Sequence, residues 1–262
     1  MRDEIPWFQC QIGPGAVVAT AIHDGHAVGA AALRAMALGD DERLREEDPF
    51  TGQAIVDVPT HLIVNRSRFE VDLNRDRESA VYRTAEQCWG LELWHEEPND
   101  ALVEAGLAIH DAYYAQLAAV LDGVAARKPR FVLLDVHSYN HRRDGPDGAP
   151  TDQVEAPDIN IGTFSMPREE WAFLLDPLID AMRDFDFNGR KLDVRENIAF
   201  QGKGEQTRFV HDRYPSVGCA IAIEFKKFFM DEWTGQPDDS ELAAMRAFIG
   251  HVAAEAGRLL AR

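Results

Sequence analysis

The chain has 262 residues, 45% of them hydrophobic and 27% charged, with 45 acidic residues against 27 Lys and Arg and a formal charge of −18. A chain this long buries about three quarters of its unfolded surface, so it needs no disulfide framework. The acidic balance argues against nucleic acid, which demands clustered Lys and Arg, and no stretch approaches the ~20 apolar residues of a membrane span. Net charge says little about a small anionic substrate, which feels the local field of its pocket. Cys10, Cys88 and Cys219 form no metal-binding or paired spacing, which predicts reduced thiols in a cytoplasmic protein. The opening segment Met1–Cys10 carries no apolar run or cleavage signal.

Taken in chain order, Ala16–Ile22 is a short apolar, β-branched run and is expected to be a strand. Val28–Met36 is Ala-rich and reads as a helix. His61–Asn65 and Phe69–Leu73 read as one strand or two around a turn. Asp100–Ala126 has long helical spacing. Arg130–Asp135 and Ile159–Thr163 read as buried strands. Pro167 suits the first turn of a helix reaching about Met182. Val217–Phe225 is a further apolar strand, and Ser240 is expected to cap a last helix towards Leu260. Continuously apolar strands flanked by helices predict an α/β fold with a sheet covered on both faces, a three-layer α/β/α arrangement. The polar segment Asn140–Pro157 reads as a long functional loop, so residues 1–262 are expected to form a single domain.

In open α/β sheets, reactive groups gather beyond the carboxyl ends of the strands. Two such ends carry histidine, His23-Asp24-Gly25-His26 and Asp135-Val136-His137-Ser138. Neutral imidazole binds zinc, and a neighbouring carboxylate can orient its other nitrogen. A catalytic zinc needs a third protein ligand and an open position; His26 and the acidic cluster Glu46-Glu47-Asp48 both offer one. In Ser67–Arg75, the residues Arg68, Asp72 and Asn74 alternate with apolar ones, which places them on one face of a strand. Asn74 and Arg75 at its end suit a substrate carboxylate, since Arg binds carboxylates in bidentate fashion. Glu224 is an acid in an otherwise apolar strand; burial there would raise its pKa towards that of a general base.

Taken in order, these segments resemble the N-formylglutamate amidohydrolases, which release formate and glutamate in histidine breakdown. His23-Asp24-Gly25 is similar to that family's Pro-His-Ser/Ala-Gly strand end, and Leu44–Phe50 to its acidic segment, with Asp48 at the matching acid. SRFEVDLNR at 67–75 is close to SRF-x-x-DLNR, LDVHS at 134–138 to D-x-HS, and PDINIGTF at 157–164 to D-x-N-x-GT. Phe200–Arg208 resembles a glycine-containing stretch ending in Thr-Arg, and Ile221–Phe225 the strand of the catalytic glutamate.

The family is distantly similar to the zinc carboxypeptidases, with a central mixed, largely parallel sheet between helices, a phosphorylase/hydrolase-like arrangement. The resemblance implies one zinc ion, or another divalent transition metal, held by His23, Asp48 and His137, with Glu224 as general base. It implies Asn74 and Arg75 on a substrate carboxylate, Arg68 or Arg208 at the oxyanion, and Arg208 as the better candidate for a second carboxylate. Pro49 stands where the family often has Trp, and the residues after His137 (Tyr139, His141, Arg142, Arg143) match no family feature. The expected activity is hydrolysis of the N-acyl amide of a small acidic amino acid. The competing readings are a zinc peptidase acting on peptide ends, a related N-acyl amino acid deacylase, and a binding protein that has kept the fold and lost the chemistry.

Overall fold

The computed structural model describes residues 6–262, so the opening residues Met1–Ile5 lie outside the described part. Seven strands form one sheet: β1 (Phe8–Gln11), β2 (Val17–Ala21), β3 (Thr60–Val64), β4 (Phe131–Tyr139), β5 (Ile159–Gly162), β6 (Val194–Glu196) and β7 (Gly218–Lys226). Their spatial order is β1-β3-β2-β4-β7-β5-β6. β1 runs antiparallel to β3 and β5 antiparallel to β7, and the other pairs are parallel. The sheet is therefore mixed and largely parallel.

Helices cover both faces. α3 (Thr51–Ile55), α5 (Ala172–Asp184) and α7 (Asp239–Leu260) pack on one side, where Val132, Leu134 and Val136 of β4 meet Ile55, Leu174 and Phe248. α4 (Asp100–Ala125) and α6 (Glu205–Arg213) pack on the other, where Phe131 and Leu133 meet Tyr113, Leu117 and Val210. Two shorter helices, α1 (Ala30–Ala35) and α2 (Asp40–Glu46), lie between β2 and α3 in the chain. α4 starts where the Asn99 side chain accepts the Leu102 N–H at 3.0 Å. It buries a face through Tyr113, Leu117, Leu121 and Val124, the three-to-four-residue recurrence of a helix against a sheet.

Several expectations change. β4 continues to Tyr139 rather than stopping at Asp135, because it pairs with β7 through nine consecutive residues, from Phe131↔Gly218 to Tyr139↔Lys226. His137 thus stands inside a strand. Phe69–Leu73 is not a strand. The Ser67 hydroxyl accepts the Phe69 N–H at 3.2 Å, and the Ser67 carbonyl accepts the Glu70 N–H at 3.1 Å, which coils the chain into turns. α5 begins after Pro167, at Ala172. Asp238, not Ser240, caps the last helix, since its carboxylate accepts the N–H groups of Ser240 and Glu241. Cys88 and Cys219 are buried thiols and Cys10 is exposed.

Candidate active site

Three side chains converge at the carboxyl end of the central strands. His23 follows β2. His137 comes from β4. Asp48 sits between α2 and α3, where its N–H donates to the His23 carbonyl at 2.9 Å and its own carbonyl accepts the Thr51 hydroxyl at 2.7 Å. Phe50, just beyond, adopts a left-handed φ of 71°, a costly conformation for a bulky residue that recurs where a loop is held for function. Asp48 Oδ2 lies 2.9 Å from His137 Nδ1 and 3.4 Å from His23 Nδ1. One potential ligand atom from each of the three falls within 4.8 Å of the others, and all three residues are buried.

Both imidazoles turn Nδ1 towards Asp48 and Nε2 towards a second carboxylate. His23 Nε2 is 2.7 Å from Asp72 Oδ1, and His137 Nε2 is 3.1 Å from Asp135 Oδ2, the latter a close ionic approach rather than a well-directed hydrogen bond. His23 Nδ1 is buried without a hydrogen-bond partner. An orphaned buried nitrogen, a second imidazole and a carboxylate, each imidazole backed by an acid, match the donor set of a divalent transition metal such as zinc. The cluster is compatible with a metal site. Burial pushes the Asp48 carboxyl upward, but the His137 and His23 imidazoles beside it outweigh that and hold it well below the usual carboxylate range. Burial likewise depresses the His137 imidazole, and the Asp135 and Glu224 carboxylates overcome it and raise its pKa.

The backing carboxylates are themselves held. Asp72 Oδ2 accepts Arg68 Nη2 at 2.9 Å and the Tyr82 hydroxyl, and Asp72 Oδ1 accepts the Asn74 N–H at 2.9 Å. Asp135 Oδ1 accepts Gln206 Nε2 at 2.5 Å and the Thr20 hydroxyl at 3.1 Å, and the Tyr113 hydroxyl donates to Gln206 Oε1.

Of the rival third ligands, His26 and Glu47 take each other. His26 Nδ1 is 2.6 Å from Glu47 Oε2, and Glu47 Oε1 accepts the Ser67 hydroxyl. Glu46 faces Arg143 at 3.5 Å and Arg45 at 3.6 Å.

The cluster opens on a cavity of about 400 Å³ whose lining includes Glu224, Asn74, Arg75, Arg208, Trp89 and Phe200. Glu224 stands beside His137 in the β4/β7 register and is 9% exposed, so it is not the solvated strand end its position allowed. Burial pushes its carboxyl up to about 7; His137 pulls it back, and Asp48 and Asp135 push it further. Arg68 is committed to Asp72 and lies over the Trp89 ring at 4.8 Å. Arg75 approaches Asp72 at 3.6 Å and lies over Tyr82. Arg68, Asp72 and Arg75 meet because turns bring residues three and four apart together, not because they share a strand face. The Asn74 carbonyl accepts the Glu205 N–H at 3.0 Å, while Asn74 Oδ1 has no partner among the described residues. Gly204 permits this contact: a Cβ there would fall 2.0 Å from Asn74 Oδ1. Arg208, on α6, is tied to Glu205 at 2.5 Å and half exposed.

Lys227 escapes a reading from sequence. It is 1% exposed, lines the cavity, and its Nζ donates to the carbonyls of Arg45 at 2.5 Å and Glu47 at 2.6 Å, the segment that presents Asp48. Burial lowers its pKa to about 8, against the pull of Asp48 and Glu46. Beside a second lysine just past a strand it gives no sequence signal; only the fold carries it inward. The D-x-H spacing of Asp135 and His137 did carry a signal for Asp135, whereas Thr20, Tyr113 and Gln206 become its partners only through the fold.

A family model described as N-formylglutamate amidohydrolase matches residues 15–230. Among solved structures, the chain is similar to an N-formylglutamate amidohydrolase from Ralstonia eutropha, with a TM-score of 0.72 and 16% identity over 98% of each chain. It is also similar to a gene product of Agrobacterium tumefaciens, with a TM-score of 0.67 and 16% identity over 95% of this chain and 94% of that one. At that identity the likeness concerns the fold. No curated protein sequence matches the chain.

Proposed function

This chain belongs to the N-formylglutamate amidohydrolase family, and from that premise we propose that it hydrolyses the N-acyl amide, formyl in the first instance, of a small acidic amino acid such as glutamate. The observation that carries the reading is the buried His23–Asp48–His137 cluster with Glu224 beside it on the cavity wall. His23, Asp48 and His137 would hold one divalent ion, zinc by their donor set. When bound, such an ion supplies Lewis acidity towards the acyl carbonyl and acidifies the attacking water.

The chain's own residues do the rest. Glu224 takes a proton from the water as its oxygen bonds to the acyl carbon. It then returns that proton to the leaving nitrogen as the C–N bond breaks, so acid and free amino acid form from amide and water. A carboxyl already pushed up by burial is suited to both halves of that transfer. Asp72 and Asp135 fix the imidazole orientations. Asn74 and Arg75 receive the α-carboxylate and Arg208 the side-chain carboxylate, which requires Arg208 to leave Glu205. Arg68, held by Asp72, lends its charge to the oxyanion without moving. A small anionic substrate, a place in histidine breakdown and a cytoplasmic location belong to the same reading.

The test joins metal analysis to formate release from N-formylglutamate. Glu224→Gln is expected to keep the metal and lose about 10²–10⁴-fold in kcat. His137→Ala is expected to lose metal and activity together. Full metal retention by His137→Ala sinks the proposed site, and wild-type turnover by Glu224→Gln sinks the proposed base.

A further inference from the structure

A second recess branches from the catalytic cavity. It has a volume of about 80 Å³ and shares Glu46, Asn140 and Arg143 with the main cavity, adding Arg45, Arg142 and Trp233. That is room for about two to three waters, or one carboxylate. Three arginines and one acid line this recess, in a chain whose net charge is −18. Glu46 approaches only Arg45 and Arg143, at 3.6 and 3.5 Å, and no acid among the described residues pairs with the Arg142 side chain. Asn140 is 8% exposed, and its Oδ1 has no hydrogen-bond partner among the described residues. An anion needs the donor end of this amide, Nδ2, which also makes no hydrogen bond among the described residues; an amide unmatched at both ends where two cavities meet is the mark of a group awaiting a ligand.

The walls are built rather than loose. Glu232, 3% exposed, accepts the His141 N–H at 2.8 Å and the Arg142 N–H at 3.1 Å. The Trp233 indole donates to the Arg142 carbonyl at 2.9 Å, and the Arg45 guanidinium lies 4.2 Å above the Trp233 ring.

Its side of the sheet says which end of a substrate it meets. Side chains alternate along β4: Asp135 shares the α4/α6 face with Phe131 and Leu133, and His137 continues that parity. Asn140, one residue past the end of β4, takes the next place in the opposite set, Val132, Leu134 and Val136, which faces α3, α5 and α7. Arg208 belongs to α6, and Asn74 is bonded to its first residue. The groups assigned to the amino acid therefore lie on one side of the His23–Asp48–His137 cluster and the recess on the other. A substrate whose amino-acid part fills the first side points its acyl group at the second.

We propose that Asn140, Arg142 and Arg143 form a subsite for the anionic end of an extended acyl group, so that this chain accepts N-acyl amino acids whose acyl chain ends in a carboxylate, succinyl being the simplest probe. The proposal rests on the amidohydrolase reading above. The reaction is unchanged: water adds to the acyl carbon, the C–N bond breaks, and the products are the dicarboxylic acid and the free amino acid.

The test compares N-formyl-, N-butyryl- and N-succinylglutamate on the zinc-loaded protein. Butyryl matches succinyl in chain length but lacks the charge. Succinyl is expected to exceed butyryl in kcat/KM by about tenfold, a modest factor because the arginines are solvent-accessible. The paired substitution Arg142→Ala, Arg143→Ala is expected to lower the succinyl-to-formyl ratio by a similar factor, and Glu46→Gln to raise it. Equal rates for succinyl and butyryl, or an unchanged ratio in the paired variant, overturn the subsite while leaving the formyl activity standing. If none of the three is hydrolysed, the amidohydrolase reading fails instead. Calorimetric Kd values for N-succinyl- and N-butyrylglutamate then decide the subsite: about tenfold tighter succinyl binding sustains it, and equal affinities overturn it.

Discussion

Asp72 and Asp135 do the same job in opposite surroundings. Each sets a carboxylate behind the Nε2 of one cluster histidine. Asp72 stands outside the sheet among ionic partners, with Arg68 at 2.9 Å and Arg75 at 3.6 Å, and Arg68, with His23 and the Tyr82 hydroxyl, holds its carboxyl well down despite its burial. Asp135 lies within β4, and besides its ionic approach to His137 its hydrogen-bond partners are neutral, Thr20 and Gln206, the latter fixed by Tyr113. A turn segment near a polar cavity can gather opposite charges that compensate one another. A strand inside a sheet has to satisfy a carboxylate with groups that cost less to bury. The difference teaches that each histidine has a carboxylate behind it while the stability at stake behind each is not the same.

The largest expected effect breaks the ionic side. Asp72→Ala leaves the largely buried Arg68 guanidinium without its direct carboxylate partner, and urea denaturation should report a loss of about 3–5 kcal/mol. The same variant should weaken metal binding about 10–100-fold in a chelator competition. Asp135→Ala should cost as much in metal affinity but only about 1–3 kcal/mol in stability, since its hydrogen-bonded partners are neutral and His137 keeps Asp48 and Glu224 beside it. Equal destabilisation by the two substitutions would erase the contrast. Lys227→Met tests a third support, the cation that holds the carbonyls of Arg45 and Glu47 around Asp48. Two buried carbonyls lose their donor, a loss of about 1–3 kcal/mol, and metal affinity should fall with it. Unchanged metal affinity would make Lys227 a packing residue alone. Smallest is Tyr113→Phe, about 1 kcal/mol in the same denaturation series, with the metal affinity held by the remaining Gln206 and Thr20 bonds.

What the sequence disclosed follows the same division. The strands inside the sheet were legible, because unbroken apolar runs such as Val132–Leu134 and Ala220–Ile223 are what burial on both faces requires. His23 and His137 were legible as strand-end imidazoles, although β4 runs on past His137 through its pairing with β7. The turns were not. Apolar residues at 69, 71 and 73 mimic strand alternation, and only the Ser67 hydroxyl bonding its own chain ends the resemblance to a strand. The residues alone left His26 and Asp48 both open, and only the family resemblance favoured Asp48, because what occupies His26 is a long-range event, Glu47 engaging both His26 and Ser67. Lys227 was invisible for the same kind of reason: its partners lie some 180 residues away.

The nine-residue pairing of β4 with β7 bears on how the protein would fail. His137 and Glu224 ride on adjacent strands at the centre of the sheet, whose amides should exchange with solvent only through global unfolding. Asp48 and Asn74 hang on segments outside it, in the class that opens locally at lower free energy. On warming, the two central groups would stay in register while the Asp48 segment frays. Inactivation would then precede melting and be reversible on cooling, with the chain still folded around an opened ligand set.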